Sequence, residues 1–182
     1  DKTNQGFYKK TKNTKGETEI LTLDLKTLEY KPKAKTKFAT LESTKTIDNL
    51  KERFKVLIAG KDNAGEFYRD SFFGLFQYVS NRIPEIADEL FKIDDAVCAG
   101  FGWELGPFET WDAVNVEATL SAMEVAGYKP NPWVYEMISS GNKSFYKIED
   151  GQRKYYDIPT KSYKSIPGKE EFIILENLKD RV

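Results

Sequence analysis

The stretch "GFGWELGPFETWDAV" (residues 100–114) decides the fold, because its three glycines fit either a nucleotide-binding loop or a turn between two helices. A dinucleotide-binding loop requires the spacing G-x-G-x-x-G between a buried strand and a helix. The spacing here is G-x-G-x-x-x-G, and the preceding "IDDAVCA" (93–99) has helical rather than strand character. The spacing and its context therefore favour a turn between helices.

The charges around the glycines also argue against a phosphate site. Glu104, Glu109 and Asp112 lie where a phosphate would bind, and no Lys or Arg occurs between Lys92 and Lys129. The N-terminus of a helix attracts anions, but three nearby carboxylates would oppose the binding of one. We therefore predict no nucleotide-binding residues in this stretch.

As a turn, the stretch predicts a specific arrangement of two helices. Gly100 and Gly102 are expected to end the first helix, and Pro107 to occupy the first turn of the second. Glu109 would then complement the helix dipole at that N-terminus. The aromatic side chains expected to pack between the two helices are Phe101, Trp103, Phe108 and Trp111.

Composition excludes several kinds of chemistry. The 182 residues include no histidine and a single cysteine, Cys98, so imidazole catalysis, histidine-ligated zinc and internal disulfides are impossible. We predict no catalytic, cofactor-binding or metal-binding residue. No apolar run approaches the roughly 20 residues of a membrane span, and the N-terminus lacks the apolar region of a signal peptide. We expect a cytoplasmic protein without a membrane span.

The charges are distributed unevenly along the chain. Residues 1–61 contain 15 Lys and Arg against 8 Asp and Glu, whereas residues 62–137 contain 4 against 14. A basic segment can bind nucleic acid. The lysines here are scattered among Thr, Leu and Glu without clustered aromatic residues, so we predict no nucleic-acid binding.

Apolar residues at helical spacing indicate a mainly α-helical central region. One stripe begins near Leu41, and a second follows Gly60 and extends to Leu90, with a kink or a helix restart expected at Pro84. Four further helices are predicted at 94–99 with Asp94 as N-cap, 107–114, 116–126 and 133–139.

Alternating and aromatic segments at both ends indicate β-structure. A hairpin is predicted over 19–32, with its turn at residues 25–27, and strands are predicted in "KSFYKI", "RKYYDI" and "SYKSI" after residue 142, with a turn at 149–152. The two ends also resemble each other. "NQGFYKK" (4–10) is similar to "NKSFYKI" (142–148), and "DLKTLEYK" (24–31) shares D-x-x-T-x-x-Y-K with "DIPTKSYK" (157–164).

The internal similarity suggests a repeated unit of helices followed by a small β-appendage. On this interpretation the chain is a piece of a longer polypeptide. Residues 1–37 are the end of a preceding repeat with a β-hairpin and a linker, 38–143 form a helical domain, and 144–182 form a β-rich tail or linker.

Residues 81–114 resemble the C-terminal helical domain of 3-hydroxyacyl-CoA dehydrogenases. That family carries an Asn-Arg pair on a long helix, then Ile-Asp-x-Ala and G-x-G-x-x-x-GPF-x-x-x-D. The residues that match are Asn81, Arg82, Ile93, Asp94, Ala96, Gly100, Gly102, Gly106, Pro107, Phe108 and Asp112. The resemblance implies a mainly α fold, a helical 6-phosphogluconate-dehydrogenase-C-terminal-like domain, with small β-hairpin appendages at both ends.

The resemblance also implies a role in fatty acid β-oxidation, in a bifunctional or multifunctional enzyme where this would be the second helical repeat. In that family NAD and the catalytic histidine belong to a Rossmann domain, which has no counterpart here, so the isolated chain is expected to be inactive. The helical domain would shape the acyl-CoA cleft and pack against the Rossmann domain and the first helical repeat, with homo-oligomers possible. Asn81 matches the asparagine that touches the substrate.

Two positions depart from the family pattern. Trp103-Glu104 replaces an aromatic-proline pair, and Asn115 stands where the family tends to have glycine, although Asn tolerates a left-handed backbone comparatively well. Two alternatives to the dehydrogenase interpretation stay open at this point. One is a free-standing interaction module with an acidic helical face, and the other is an autonomous acyl-CoA carrier.

Overall fold

The structure, a computed structural model, describes residues 6–33, 36–149 and 151–168. The chain divides into two compact units, Asp1–Lys37 and Phe38–Val182. Among the described residues, no helix is long and apolar enough to cross a membrane.

The first unit is a three-stranded antiparallel sheet with strands in sequence order. Its strands are β1 (Tyr8–Lys12), β2 (Thr18–Leu23) and β3 (Tyr30–Pro32). The side chain of Asp24 shapes the β2–β3 turn by accepting hydrogen bonds from the backbone amides of Lys26 (2.9 Å) and Thr27 (3.2 Å). The hairpin predicted over 19–32 is confirmed, and β1 extends it to three strands.

The second unit begins with two helices, α1 (Ala39–Thr44) and α2 (Leu50–Ala59), where the sequence predicted one stripe. The break arises because Asn49 caps α2: its side chain accepts a hydrogen bond from the amide of Glu52 at 3.2 Å. A residue that caps one helix has a non-helical backbone and cannot continue the preceding helix.

The long helix α3 (Asn63–Asn81) follows, capped by Asp62, whose side chain accepts a hydrogen bond from the amide of Gly65. It ends three residues before Pro84, and the chain restarts as α4 (Leu90–Phe101). The interruption predicted at Pro84 is therefore a restart rather than a kink.

The prediction that Asp94 caps α4 is wrong. The helix begins one turn earlier, after Glu89, because Leu90 and Phe91 are buried in the core. Asp94 lies within the helix and is itself buried. At the other end, Gly102 ends the helix with a left-handed backbone (φ 68°), as the glycine pattern predicts.

The next three helices, α5 (Pro107–Ala113), α6 (Val116–Val125) and α7 (Pro132–Ser139), agree with prediction within one residue. Asn115 has a φ of 73° and caps α6 through its side chain, which accepts a hydrogen bond from the amide of Ala118 at 3.0 Å. This backbone is the one that makes glycine or asparagine favourable at this position.

A second three-stranded antiparallel sheet closes the unit, with strands β4 (Tyr146–Glu149), β5 (Gln152–Asp157) and β6 (Ser162–Ser165). The three strands predicted after residue 142 are confirmed. Part of the predicted turn, residue 150, and residues 169–182 of the predicted tail lie outside the described residues.

Aromatic side chains join the helices to the second sheet. The rings of Phe76 and Trp111 stack at 4.7 Å, and Phe145 contacts Phe108 at 5.0 Å. The Trp111 indole donates a buried hydrogen bond of 2.6 Å to Thr119. The mainly α fold with two small sheets is thus confirmed.

Only half of the aromatic packing predicted at the glycine corner is correct. Phe108 and Trp111 are fully buried, but Phe101 is 78% exposed and Trp103 is 46% exposed. Phe101 is the last residue of α4, and Trp103 follows the left-handed Gly102, so both side chains lie beyond the helix face that packs in the core.

Candidate functional site

The corner between α4 and α5 depends on a close approach at Gly106. A Cβ atom at this position would lie within 3.0 Å of the backbone and side chain of Asp94, a distance that real Cβ atoms essentially never show. Gly106 therefore lets α4 lie directly against the start of α5. Gly100, in contrast, has open space around it.

Asp94 caps α5 from the neighbouring helix. Its two carboxylate oxygens accept hydrogen bonds from the amides of Phe108 (2.9 Å) and Glu109 (3.0 Å), the second and third residues of α5. The Glu109 side chain accepts in turn from the amide of Gly106 at 2.8 Å. These are the amides a phosphate would need, and protein carboxylates already occupy them.

Asp112 connects the far end of α5 to the second sheet. Its carboxylate oxygens accept hydrogen bonds from the amides of Phe145 (2.7 Å) and Tyr146 (2.9 Å) at the start of β4. The same segment inserts the fully buried ring of Phe145 among Phe108, Trp111 and Trp133. Asp112 therefore holds the sheet on the helices through directional hydrogen bonds.

The side chain of Tyr146 completes this arrangement. Its hydroxyl donates a hydrogen bond of 2.8 Å to Asp94, and the guanidinium of Arg153 lies 3.8 Å from the centre of its ring. Arg153 also forms an ion pair of 2.6 Å with Glu109. We call Asp94, Glu109, Asp112, Tyr146 and Arg153 the corner cluster.

Burial governs the electrostatics of the corner cluster. It raises the pKa of Asp94 and that of Asp112 from an ordinary value of 3.8 to about 7, although hydrogen bonds from backbone amides oppose the shift. Burial also raises the pKa of the Tyr146 hydroxyl, which therefore stays protonated and donates to Asp94.

A cavity of about 520 Å³ lies beside the corner cluster, lined by Glu109, Asp112, Tyr146 and Arg153 and by polar residues of α2. Its charges are largely paired, since Lys55 binds Glu52 at 2.7 Å and Arg153 binds Glu109. Within the described ranges, no group of three or more Cys, Asp or Glu residues could hold a metal ion.

The glycine corner does not fit a dinucleotide. Gly100 lies inside a helix rather than after a strand, and the amides at the start of α5 are already bound by Asp94 and Glu109. The motif residues Gly102, Gly106 and Pro107 shape the corner, while Phe108 enters the core and Asp112 binds β4. The arrangement supports a structural role.

Asn81, the predicted substrate contact, lies at the C-terminal end of α3. Its amide nitrogen donates hydrogen bonds to the carbonyl oxygens of Gln77 (2.8 Å) and Lys129 (3.2 Å), and its oxygen lies 3.4 Å from the amide nitrogen of Asn131. These contacts connect α3 to the segment before α7. The neighbouring Arg82 forms an ion pair with Glu85 at 2.7 Å, in the acidic region where a partner was expected.

Comparison with known proteins relates the chain to a family. No family model matches it, and no solved structure does. The chain is 37% identical over 179 residues to a probable 3-hydroxyacyl-CoA dehydrogenase of Bacillus subtilis. It is 26% identical over 121 residues to a putative fatty acid oxidation complex trifunctional enzyme of Rickettsia felis.

These similarities confirm the resemblance stated from residues 81–114: the chain is homologous to a segment of the 3-hydroxyacyl-CoA dehydrogenases. The first similarity covers 98% of the chain but only 22% of the Bacillus protein, and the second covers 62% of the chain and 14% of the Rickettsia protein. The chain therefore spans about a fifth of the length of the curated relatives it matches.

Sequence reasoning found half of the corner cluster. Asp94 and Asp112 were identified through the family motif and Glu109 through its place in the first turn of α5. Tyr146 and Arg153 were missed, although the repeated Phe-Tyr pair in "NQGFYKK" and "NKSFYKI" was a signal for the tyrosine.

Proposed function

We propose that this chain is the second helical domain of an NAD-dependent 3-hydroxyacyl-CoA dehydrogenase that acts in fatty acid β-oxidation. Its fold would be that of the 6-phosphogluconate-dehydrogenase C-terminal domain. NAD and the catalytic histidine would reside in a Rossmann domain elsewhere in the longer protein. The observation that carries the proposal is the 37% identity over 98% of the chain to the Bacillus dehydrogenase.

The helical domain would contribute shape rather than chemistry. The corner cluster binds its carboxylates and amides to one another, which supports a rigid wall for an acyl-CoA cleft. The partners in this proposal are the Rossmann domain and first helical repeat of the same polypeptide, the acyl-CoA substrate, and a further copy of the protein. A cytoplasmic location stays a prediction.

Asn81 is the residue we propose to contact the substrate. Both hydrogens of its amide nitrogen are directed at backbone carbonyls, whereas its oxygen has only the 3.4 Å contact to Asn131. An amide oxygen has two lone pairs, so it retains the capacity to accept a hydrogen bond from a substrate hydroxyl.

Steady-state kinetics of the longer protein that contains this chain test the proposal. NAD reduction by 3-hydroxybutyryl-CoA is compared in the unchanged protein and in an Asn81→Ala variant, with Asn142→Ala as the control, since Asn142 lies outside α3 and outside the corner cluster. The proposal predicts turnover by the unchanged protein and a raised KM or lowered kcat for Asn81→Ala alone. No NAD reduction by the unchanged protein would refute the dehydrogenase function, and equal kinetics of the two variants would refute the role of Asn81.

A further inference from the structure

The two sheets of the chain repeat each other in three dimensions as well as in sequence. They have the same strand order and the same register, as these matching pairs show: Tyr8↔Thr22 and Tyr146↔Tyr155, Leu23↔Tyr30 and Tyr156↔Tyr163. They differ in the first hairpin loop, where the first sheet has five additional residues.

The side-chain contacts of the two sheets repeat as well. The last tyrosine of each sheet donates to the backbone just before the first strand: Tyr30 to Gly6 at 2.7 Å, Tyr163 to Ser144 at 2.6 Å. An ion pair follows each turn: Asp24–Lys31 at 2.7 Å, Asp157–Lys164 at 2.8 Å. Each turn also places a non-glycine residue at positive φ: Leu28 at 58°, Lys161 at 52°.

What differs is the burial of matching apolar residues. In the second sheet, Phe145 is fully buried, and Tyr146 and Ile158 pack against the helical core. Their counterparts in the first sheet are exposed: Phe7 by 69%, Tyr8 by 61% and Leu25 by 69%. Three large apolar side chains on one small sheet are a surface that a partner would cover.

We propose that the first sheet is the closing sheet of another helical unit of the same type, located before Asp1 in a longer polypeptide. That unit would receive the ring of Phe7 in an aromatic pocket and bind the amides of Phe7 and Tyr8 with a carboxylate equivalent to Asp112. This inference rests on the proposed function, because it takes the chain as a segment of a longer dehydrogenase.

Chain order selects this partner over a second copy of the chain. In the second unit the sheet closes the helices that directly precede it, since β4 begins seven residues after α7 ends at Ser139. By the same connection, the first sheet would close the helices that precede it. The Bacillus relative is long enough for such a unit, because the chain spans 22% of it.

One substitution between the sheets predicts how the missing contact differs. Arg153, which pairs with Glu109, corresponds to Ile20 in the first sheet, and Ile20 is exposed. The partner unit is therefore expected to offer an apolar contact at the position of Glu109 rather than a carboxylate.

Photo-crosslinking in the longer natural protein tests the proposal. Phe7 is replaced by p-benzoylphenylalanine, which keeps an aromatic ring at the position, and Lys15 is replaced in a control variant. Lys15 lies in the first hairpin loop, where the second sheet has no matching residues. The expected result is a crosslink from position 7 to the segment before Asp1, with loss of that crosslink at position 15.

Amide hydrogen exchange of the unchanged protein provides a second measurement that requires no variant. The amide of Phe7 is expected to exchange at least about 100-fold more slowly in the longer protein than in the 182-residue chain, because burial and a hydrogen bond both protect it.

Crosslinks from position 7 to residues 38–168 or to a second molecule, no crosslink at all, equal crosslinking from position 15, equal exchange rates, or a coding sequence that begins at Asp1 would each overturn the inference. NAD reduction by the same preparation is measured in parallel. Crosslinking without NAD reduction would retain the docking surface and refute the dehydrogenase function, and the reverse result would refute the docking surface alone.

Discussion

Replacement of Gly106 by alanine adds one methyl group where α4 and α5 touch. That group would lie within 3.0 Å of the Cα, Cβ and Cγ atoms of Asp94, and the backbone among them cannot move without shifting the helix. Overpacking of this kind costs about 1–3 kcal/mol. The displacement would also lengthen the hydrogen bonds from Phe108 and Glu109 to Asp94, at about 1 kcal/mol each. We expect Gly106→Ala to lower the free energy of unfolding by about 3 kcal/mol.

The other two glycines of the motif are matched controls. Gly100 lies inside α4 with open space around it, so Gly100→Ala should stabilise the chain by about 0.5–1 kcal/mol through helix propensity. Gly102 has a φ of 68°, so Gly102→Ala should destabilise it by about 1–2 kcal/mol through backbone strain. Urea denaturation followed by circular dichroism measures all three. Equal effects of the three substitutions, or a stable Gly106→Ala variant, would refute the helix-corner interpretation.

Three further predictions concern stability, each measured by the same denaturation assay. Because the folded state holds protons on Asp94 and Asp112 up to about pH 7 while the unfolded state releases them near 3.8, stability should fall as pH rises from 4 to 7, by up to about 4 kcal/mol per carboxyl. An Asp112→Asn variant should show a shallower decline, and an unchanged slope would contradict the shift. Phe145→Ala should cost about 3–5 kcal/mol because its ring is fully buried, whereas Phe7→Ala should change the stability of the 182-residue chain by less than about 0.5 kcal/mol, and equal losses would contradict the difference between the two sheets. Asp62→Ala should cost about 1–2 kcal/mol through loss of the α3 cap, and an unaffected variant would contradict that role.

Local rules predicted most of the secondary structure because the signals were strong. Pro107 marks the start of a helix, and Gly102 marks the end of one. The errors arose where tertiary packing prevailed over a local signal. Asp94 has the residue type of an N-cap, but the burial of Leu90 and Phe91 extends α4 past it, and its carboxylate caps a different helix.

The corner cluster shows the same limit. The spacing of the family motif brought Asp94 and Asp112 to attention, but their partners lie 52 and 33–34 residues further along the chain. No local pattern specifies that Tyr146 donates to Asp94 or that Arg153 covers its ring. The internal repeat was visible in the sequence, whereas the exposure of Phe7 against the burial of Phe145 required the structure.

The central claim is that this chain is a helical domain whose nucleotide and catalytic groups belong to another part of the protein. Spectrophotometric measurement of NADH formation from 3-hydroxybutyryl-CoA and NAD, by the purified 182-residue chain and by the longer protein in parallel, tests it most directly. The account predicts turnover by the longer protein and none by the 182-residue chain. NADH formation by the 182-residue chain alone would contradict it.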